Sequence, residues 1–487
     1  MLPLLAARWS SAARGEIRGW REVKGQVTLG ESIKVMETIS AIYADFVKAT
    51  HFDSLPAETV QQAKKLILDL IGVALAGYQS MAFPRMVVGY VMDIGGKPEA
   101  TVIQSKKKVP ATHAAFANAS CAHALDMDDG HRFAASHPGV VIVPAAMAAA
   151  ELVNGSTKAL ISGIVVGYEI MIRVGKVITP SSLNRGFHIT GVTGPFGAAG
   201  AAANIMGLRR EETMAALGMA GLQASGLIQV NHEVEGAMVK PINPAKAAMS
   251  GLLSSILAEK GSKGPLHIFE GEDGYLKAVA DEVDTDLLTR NLGREFEILN
   301  VYLKLHAACR HAHASIDAAT KAFKESGIDI AEIQKISIQT YPAAIRLAGI
   351  TKVTAPSGGR FSIPFSVALA LIKQDAGADK YSDENVRDQT IQALAEKVHL
   401  SVGSKWEKLY PEKRGATVGI IDKANKTWSA EVGLAKGEPE NPATWEEIYN
   451  KFQKNATLLI SKKDAKKLGD TIMNLEQSSL DELISLV

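Results

Sequence analysis

The stretch Ala124-Leu125-Asp126-Met127-Asp128-Asp129-Gly130-His131, running on to Ser136-His137-Pro138-Gly139, puts three carboxylates and two imidazoles within twelve residues. Alanine-rich, apolar segments flank it on both sides and have the character of buried helices. Ionisable groups carried that close to a core cost about several kcal/mol unless they pair or do chemistry. The stretch is therefore either a solvated loop between helices or the floor of a site. Composition alone favours the solvated loop, because polar connections usually run over the surface. Three later segments shift that balance.

The chain has 487 residues, enough for two or three domains with ample core. Its formal net charge is +1 and 47% of it is hydrophobic, so nothing points to nucleic acid or an acidic partner. Aromatics make up only 6%, while alanine and glycine abound, which favours closely packed helices over a β-sandwich. Cys121 and Cys309 are the two cysteines and form no CxxC, which fits a reducing, cytoplasmic setting and excludes a cysteine-built zinc or iron–sulfur site. The longest apolar runs, 140–150 and 160–166, fall short of the ~18–20 residues of a membrane helix, so no membrane partner is expected. Residues 1–35 stand apart, with arginines and lysines, serines and no apolar period. They could be a transit peptide, but an upstream-extended start before Met36 is preferred, and the segment is expected to be disordered.

Working outward, 112–125 has the pattern of a small-residue helix delivering Asp126, and Pro138 opens another. Residues 158–178 form a further helix, with Gly163 and Gly167 spaced for close packing. Upstream, Ser54-Leu55-Pro56-Ala57-Glu58 looks like a capped helix start. The second segment is Asn184-Arg185-Gly186-Phe187-His188, followed by Gly191 and Gly194-Pro195-Phe196-Gly197, read as a glycine-rich loop opening a helix. Arg185 and His188 could meet an anion there, but no G-x-x-x-x-G-K-[ST] supports a nucleotide. The third, Gly236 to Lys246, carries Lys240 in apolar, Gly/Pro-bent surroundings, where burial or a carboxylate partner is expected. The fourth, Lys304-Leu305-His306-Ala307-Ala308-Cys309-Arg310-His311-Ala312-His313, gathers three imidazoles and two cations at a helix entry. Zinc is the obvious alternative, yet Lys304 and Arg310 suit a polycarboxylate better.

Beyond about residue 300 the texture changes. Helical runs at 313–326, 364–373 and 385–397 alternate with strand-like runs at 333–340, 398–402, 417–421 and 427–432. Helical patterning returns from Pro442 to the C-terminus. The fold expected is mainly α: a large all-helical domain from both chain ends (36–298 and 439–487) with an inserted α+β lid (299–438).

Taken together, these segments resemble the MmgE/PrpD family, which includes 2-methylcitrate dehydratases, cis-aconitate decarboxylases and an iminodisuccinate epimerase. The resemblance rests on the 124–129 stretch with His137-Pro138, on Arg185-Gly186-Phe187-His188, on Gly221-Leu222-Gln223-Ala224-Ser225-Gly226 and on Lys240. It continues through Cys309-Arg310-His311-Ala312-His313 with Ile316-Asp317-Ala318, and Phe361-Ser362-Ile363-Pro364-Phe365. The resemblance implies a homodimer that needs no metal and no cofactor. It implies catalytic roles for Asp126, His137, His188, Lys240 and His313, with Arg185, Lys304 and Arg310 holding the substrate. Two positions depart from the decarboxylase pattern: Gly130 stands for a threonine, with the spacing to His137 one residue longer, and Phe365 for a tyrosine. Both count against cis-aconitate decarboxylase as the specific activity.

Chemistry of this kind makes or quenches a carbanion beside a carboxylate. It needs a positioned acid or base and fixed positive charge where enolate-like charge develops. The first expectation is a lyase acting on a small di- or tricarboxylate by 2-methylcitrate dehydratase-like dehydration. An epimerase with His188 and His313 as opposed bases, a decarboxylase, and a metal-dependent hydrolase using Asp126, Asp128, His131 and His137 as ligands remain alternatives. Removal of residues 1–35 is expected to leave melting temperature and activity unchanged. A large drop in melting temperature on thermal scanning would show that the segment packs.

Overall fold

Small side chains let the central helices cross almost backbone to backbone. A Cβ at Gly167, on the Thr157–Ile178 helix, would stand 2.6 Å from the Ile142 side chain and 3.0 Å from the Gly197 carbonyl. The Gly139–Leu152 and Ile189–Met206 helices therefore close on it as the glycine spacing suggests. The computed structural model describes residues 37–232 and 236–487 and is mainly α. The expected extension, 1–35, lies outside the described residues.

Three local expectations need correction. The Gly191–Gly197 stretch is not a loop, because one helix runs from Ile189 through Pro195 to Met206. Its glycines serve packing: a Cβ at Gly194 would lie 2.8 Å from Ala247 and 3.1 Å from Val141. Ser54 does not cap the Ala57–Ser80 helix; its hydroxyl closes the preceding turn on His51, and Pro56 leads the helix. The 385–397 run breaks in two, at Asp388, whose carboxylate caps Gln389–Glu396 through the amides of Thr390 and Ile391.

The four strand-like runs form one sheet in the order Val398–Val402, Ile333–Thr340, Ala416–Asp422, Thr427–Val432. The first pair is parallel, with Ile336 opposite Val398; the others are antiparallel. Ile333, Ile336 and Ile338 are buried, and the Arg310–Ser326 helix packs on the last two strands. Around the sheet a core gathers residues from Ala307 to Ala435, with Val73, Leu125 and Met127 joining it. A larger core unites the alanine-rich helices with the C-terminal ones. Among the described residues no single helix is long and apolar enough to cross a membrane; the bent pair Ala57–Ser80 and Ala82–Ile94 passes only jointly, and the first of these is largely buried.

The Trp445–Ala456 helix lies along Ala57–Ser80, with the Phe452 ring over Gly72, where a Cβ would sit 2.9 Å from the ring. Phe452 is fully buried although nearly four hundred residues separate it from Gly72. Phe452→Ala is expected to destabilise the chain by about 3–5 kcal/mol, the usual range for emptying such a site. Chemical denaturation checks this, and an unchanged midpoint would mean the terminal helices are not part of the cooperative unit.

Candidate active site

Asp126 is buried, in a left-handed backbone conformation (φ 49°) that aspartate tolerates better than most residues. It is held from three directions. Lys240 makes a short contact to Oδ1, while Lys304 donates to Oδ2 at 3.2 Å and to the Asp126 carbonyl at 2.7 Å. Burial alone would raise its pKa, but the two ammonium groups hold the carboxyl far below the ordinary range. Lys304 is wholly buried behind Asp126 and supports it, whereas Lys240 faces a cavity with its ammonium 5.2 Å from the centre of the Phe361 ring.

Two histidines share one carboxylate. Asp128 lies 3.1 Å from His123 Nδ1 and 3.0 Å from His137 Nδ1, and the latter nitrogen also meets the Asp129 carbonyl at 2.7 Å. Every acceptor is at Nδ1, so both rings carry their proton there and keep Nε2 as the open nitrogen. The His137 amide donates to Thr190 Oγ1 at 3.0 Å, fixing the end of the loop. His188 sits at the N-terminus of the Ile189–Met206 helix, 6.0 Å ring to ring from His123. Its Nδ1 is buried without a hydrogen-bond partner. Burial, then the neighbouring Lys240, keeps this imidazole neutral well below its ordinary pKa.

Asp126, His137, His188, Lys240 and Arg310 line one cavity of about 70 Å³, closed by Tyr302, Cys309, His311, Phe361 and Arg414. His313 does not belong to it. Positions 311 and 313 are ~200° apart around a helix, so only one can face a given side. The Arg310–Ser326 helix turns His311 to the cavity, hydrogen-bonded to the Tyr341 hydroxyl at 2.6 Å. His313 faces the interior between Arg310 Nη1, at 3.2 Å, and the Ala308 carbonyl, at 3.1 Å. Asp317, one turn further along the helix, pairs with His306 at 2.8 Å. Arg185 is also elsewhere: it is partly exposed, pairs with Asp281 and donates to the Ala278 carbonyl. Arg310 reaches the cavity but is already held by Glu438 at 2.9 Å.

The proposed four-ligand metal set does not converge. His131 accepts from the Ala134 amide and faces Glu297 at 3.5 Å, and Asp126 is committed to two lysines. His123, Asp128 and His137 do bring one ligand atom each within 4.8 Å of one another. A cation there would have to replace both Nδ1 protons, with Lys240 and Lys304 acting on the same groups.

Several cavity residues carry no motif. Tyr302 arrives through a two-residue strand that pairs Val301–Tyr302 with Gly130–His131. Its ring fills the space over Gly130, where a Cβ would meet the hydroxyl at 2.3 Å. A larger residue at 130 would collide with it. Phe365, by contrast, is buried in the core around the sheet and does not touch the cavity. Beneath the loop, Lys451 of the Trp445–Ala456 helix pairs with Asp69 at 2.6 Å and donates to the Met127 carbonyl at 2.9 Å.

A mainly helical fold with an acidic loop, paired histidines and buried lysines at its centre defines a class. The MmgE/PrpD N-terminal domain matches residues 42–288 and the MmgE/PrpD C-terminal domain residues 306–477, and the chain belongs to that family. It is 27% identical to a cis-aconitate decarboxylase-like protein, oryM, of Aspergillus oryzae, over 92% of this chain and 97% of the relative. It is 26% identical to a cis-aconitate decarboxylase of Aspergillus terreus, over 89% and 93% respectively. A 2-methylcitrate dehydratase of Salmonella typhimurium is 24% identical over 40% of this chain and 41% of its own.

The buried charges set a pH response. Burial pushes His123 down to about 4 and lowers His131, His188, His311 and His313. Burial also pushes Asp129 and Glu169 up to about 7 and raises Asp69. Below about pH 6.5 the unfolded chain protonates its histidines while the folded one does not, so that stability is lost on acidification. The three carboxyls oppose this, because the folded state keeps protons that the unfolded state has released above ~4. Five groups outweigh three, so melting temperature is expected to fall between pH 6.5 and 5. A flat or rising profile in a thermal scan would contradict the burial of these imidazoles.

Proposed function

We infer that the chain is a lyase acting on a small di- or tricarboxylic acid, and that it decarboxylates a cis-aconitate-like substrate. One observation carries this: the neutral, half-unpartnered His188 stands with His137 and Lys240 in one enclosed cavity. Loss of CO₂ breaks a carbon–carbon bond and leaves the electron pair on carbon. Conjugation with a neighbouring carboxylate spreads that pair as a dienolate, whose charge Lys240 offsets. An imidazole then delivers a proton to carbon. His137 suits this step, since Asp128 and the Asp129 carbonyl engage its Nδ1 and leave Nε2 to take a proton from solvent and pass it to carbon. Phe361, Leu347 and Ile228 give the cavity an apolar wall, which suits a leaving group that sheds its charge.

The reach of the relatives supports decarboxylation over the dehydration expected first: those named decarboxylases match about nine-tenths of the chain, the dehydratase two-fifths. Phe365 has no bearing on substrate choice from within the core, and Gly130 makes room for Tyr302. Dehydration remains the second reading, because Tyr302 gives this cavity a phenol that can donate to a substrate hydroxyl. Epimerisation by His188 opposed to His313 has lost its geometry. Residues 299–438 are read as a lid: Tyr302, Cys309, His311, Phe361 and Arg414 come from it, and Asp126, His137, His188 and Lys240 from the helical part.

The test is incubation of purified protein with cis-aconitate and with 2-methylcitrate, following CO₂ and alkene absorbance. CO₂ from cis-aconitate is expected; alkene from 2-methylcitrate without CO₂ would replace decarboxylation by dehydration. His188→Ala should lower turnover by roughly 10²–10⁴ with little loss of stability, as its free ring nitrogen anchors nothing. Lys240→Ala should lower both, because buried Asp126 loses one of its two ammonium partners. His51→Ala, at an exposed residue, should change neither. A His188→Ala enzyme at the wild-type rate would end the assignment.

A further inference from the structure

Arg414 is a buried cation with no carboxylate in ion-pair contact among the described residues. Its Nη2 donates to the Arg132 carbonyl at 2.6 Å, and its Nε has no hydrogen-bond partner. Leaving a guanidinium N–H buried and unpaired is costly, and so is burying its charge uncompensated. Arg414 stands on the wall of the catalytic cavity and also on the wall of a second, larger room of about 430 Å³. Ala135 and Leu183 border both spaces as well, so the two rooms adjoin.

Arg132 adds a second unsatisfied guanidinium to that room. It is buried, and its Nε and Nη1 lack hydrogen-bond partners, although Nη2 reaches Glu440 and Nη1 stands 3.6 Å from Glu438. Lys176 also faces the room, with its ammonium held by Glu297 at 2.5 Å, and among the described residues no acidic one lines it. The rest of its wall is mostly apolar, including Phe133, Pro180 and Leu287. Convergent, underused guanidinium groups in a largely apolar recess are what a carboxylate needs for recognition, since the planar fork matches its two oxygens.

We propose that this second room is an anion-binding vestibule in which Arg132 and Arg414 take up a carboxylate of the substrate before it enters the catalytic cavity. The proposal rests on the reading that the substrate is a small di- or tricarboxylic acid. Arg414 stands at the threshold and hands the acid from one room to the other. Arg132 touches it only outside the reacting site. The vestibule also selects by charge: a neutral analogue of the same size finds unpaired donors and no counter-charge.

The experiment measures binding of propane-1,2,3-tricarboxylate, which has no double bond and no hydroxyl to lose, by calorimetry at fixed ionic strength. It is run on the full chain, on Arg132→Gln and on Arg414→Gln, with glycerol as the uncharged control. Each variant is expected to bind the tricarboxylate at least about ten-fold more weakly, and glycerol not to bind. With a turned-over acid, Arg132→Gln should raise KM and leave kcat unchanged, a split that a merely structural role would not produce. Arg414→Gln cuts the strap to the Arg132 carbonyl and could misfold; Arg132→Gln keeps that strap and carries the test alone. Wild-type binding with undiminished binding by Arg132→Gln overturns the vestibule and leaves the substrate class standing. No binding of any di- or tricarboxylate by the wild type overturns the substrate class and the vestibule with it.

Discussion

A single buried carboxylate between two buried ammonium groups organises this molecule. Asp126 cannot be taken out of water alone, and neither can Lys240 or Lys304. Together they neutralise most of one another's cost, and in doing so they pin three distant stretches of chain to one point. Lys304 is committed twice, to side chain and backbone, so it fixes the strained loop. Lys240 is committed once and keeps its remaining donors for the cavity. The asymmetry divides the labour between a lysine that holds the floor and a lysine that works above it.

The same economy recurs one step along the loop. Asp128 serves two imidazoles, and its effect is to choose their tautomers: with Nδ1 engaged, the basic nitrogen of His137 points away from the backbone. Asp129, facing the Tyr168 hydroxyl at 2.6 Å and the Gly139 amide at 2.9 Å, only ties the loop to the next helix. Three acidic positions within four residues thus have three different jobs: Asp126 stays ionised between two lysines, Asp128 is held low against two imidazoles, and burial pushes Asp129 towards neutrality.

Much of this was legible in the sequence. Asp126, His137, His188 and Lys240 stand out because ionisable groups are rare in such apolar surroundings, and the sheet strands because their period is two over several residues. His311 and His313 were not separable, because the face each shows depends on the helix phase, and no local residue declares where the helix begins; Cys309 ends up as its cap. The glycines near Pro195 looked like a loop because their use, contact with Val141 and Ala247, lies on other helices. Tyr302 and Arg414 gave no signal: one lies in a two-residue strand whose partner is Gly130–His131, and the other has no motif around it. Lys451 sits on an amphipathic helix and reads as one more solvated lysine until the Ala57–Ser80 helix is laid beside it.

Lys451 has a consequence for how the protein comes into being. The loop that carries Asp126 and Asp128 is complete as a covalent chain long before residue 451 is synthesised. Its Met127 carbonyl and the Asp69 carboxylate under it wait for that one ammonium. Chains emerge from the ribosome N-terminus first, and early segments collapse before late ones exist. An unfinished chain can therefore bury its alanine-rich helices yet cannot settle the charges beneath its acidic loop. The loop lacks that support until residue 451 has left the ribosome, so a chain that stops before it carries the whole set of cavity residues without the ammonium that holds their loop.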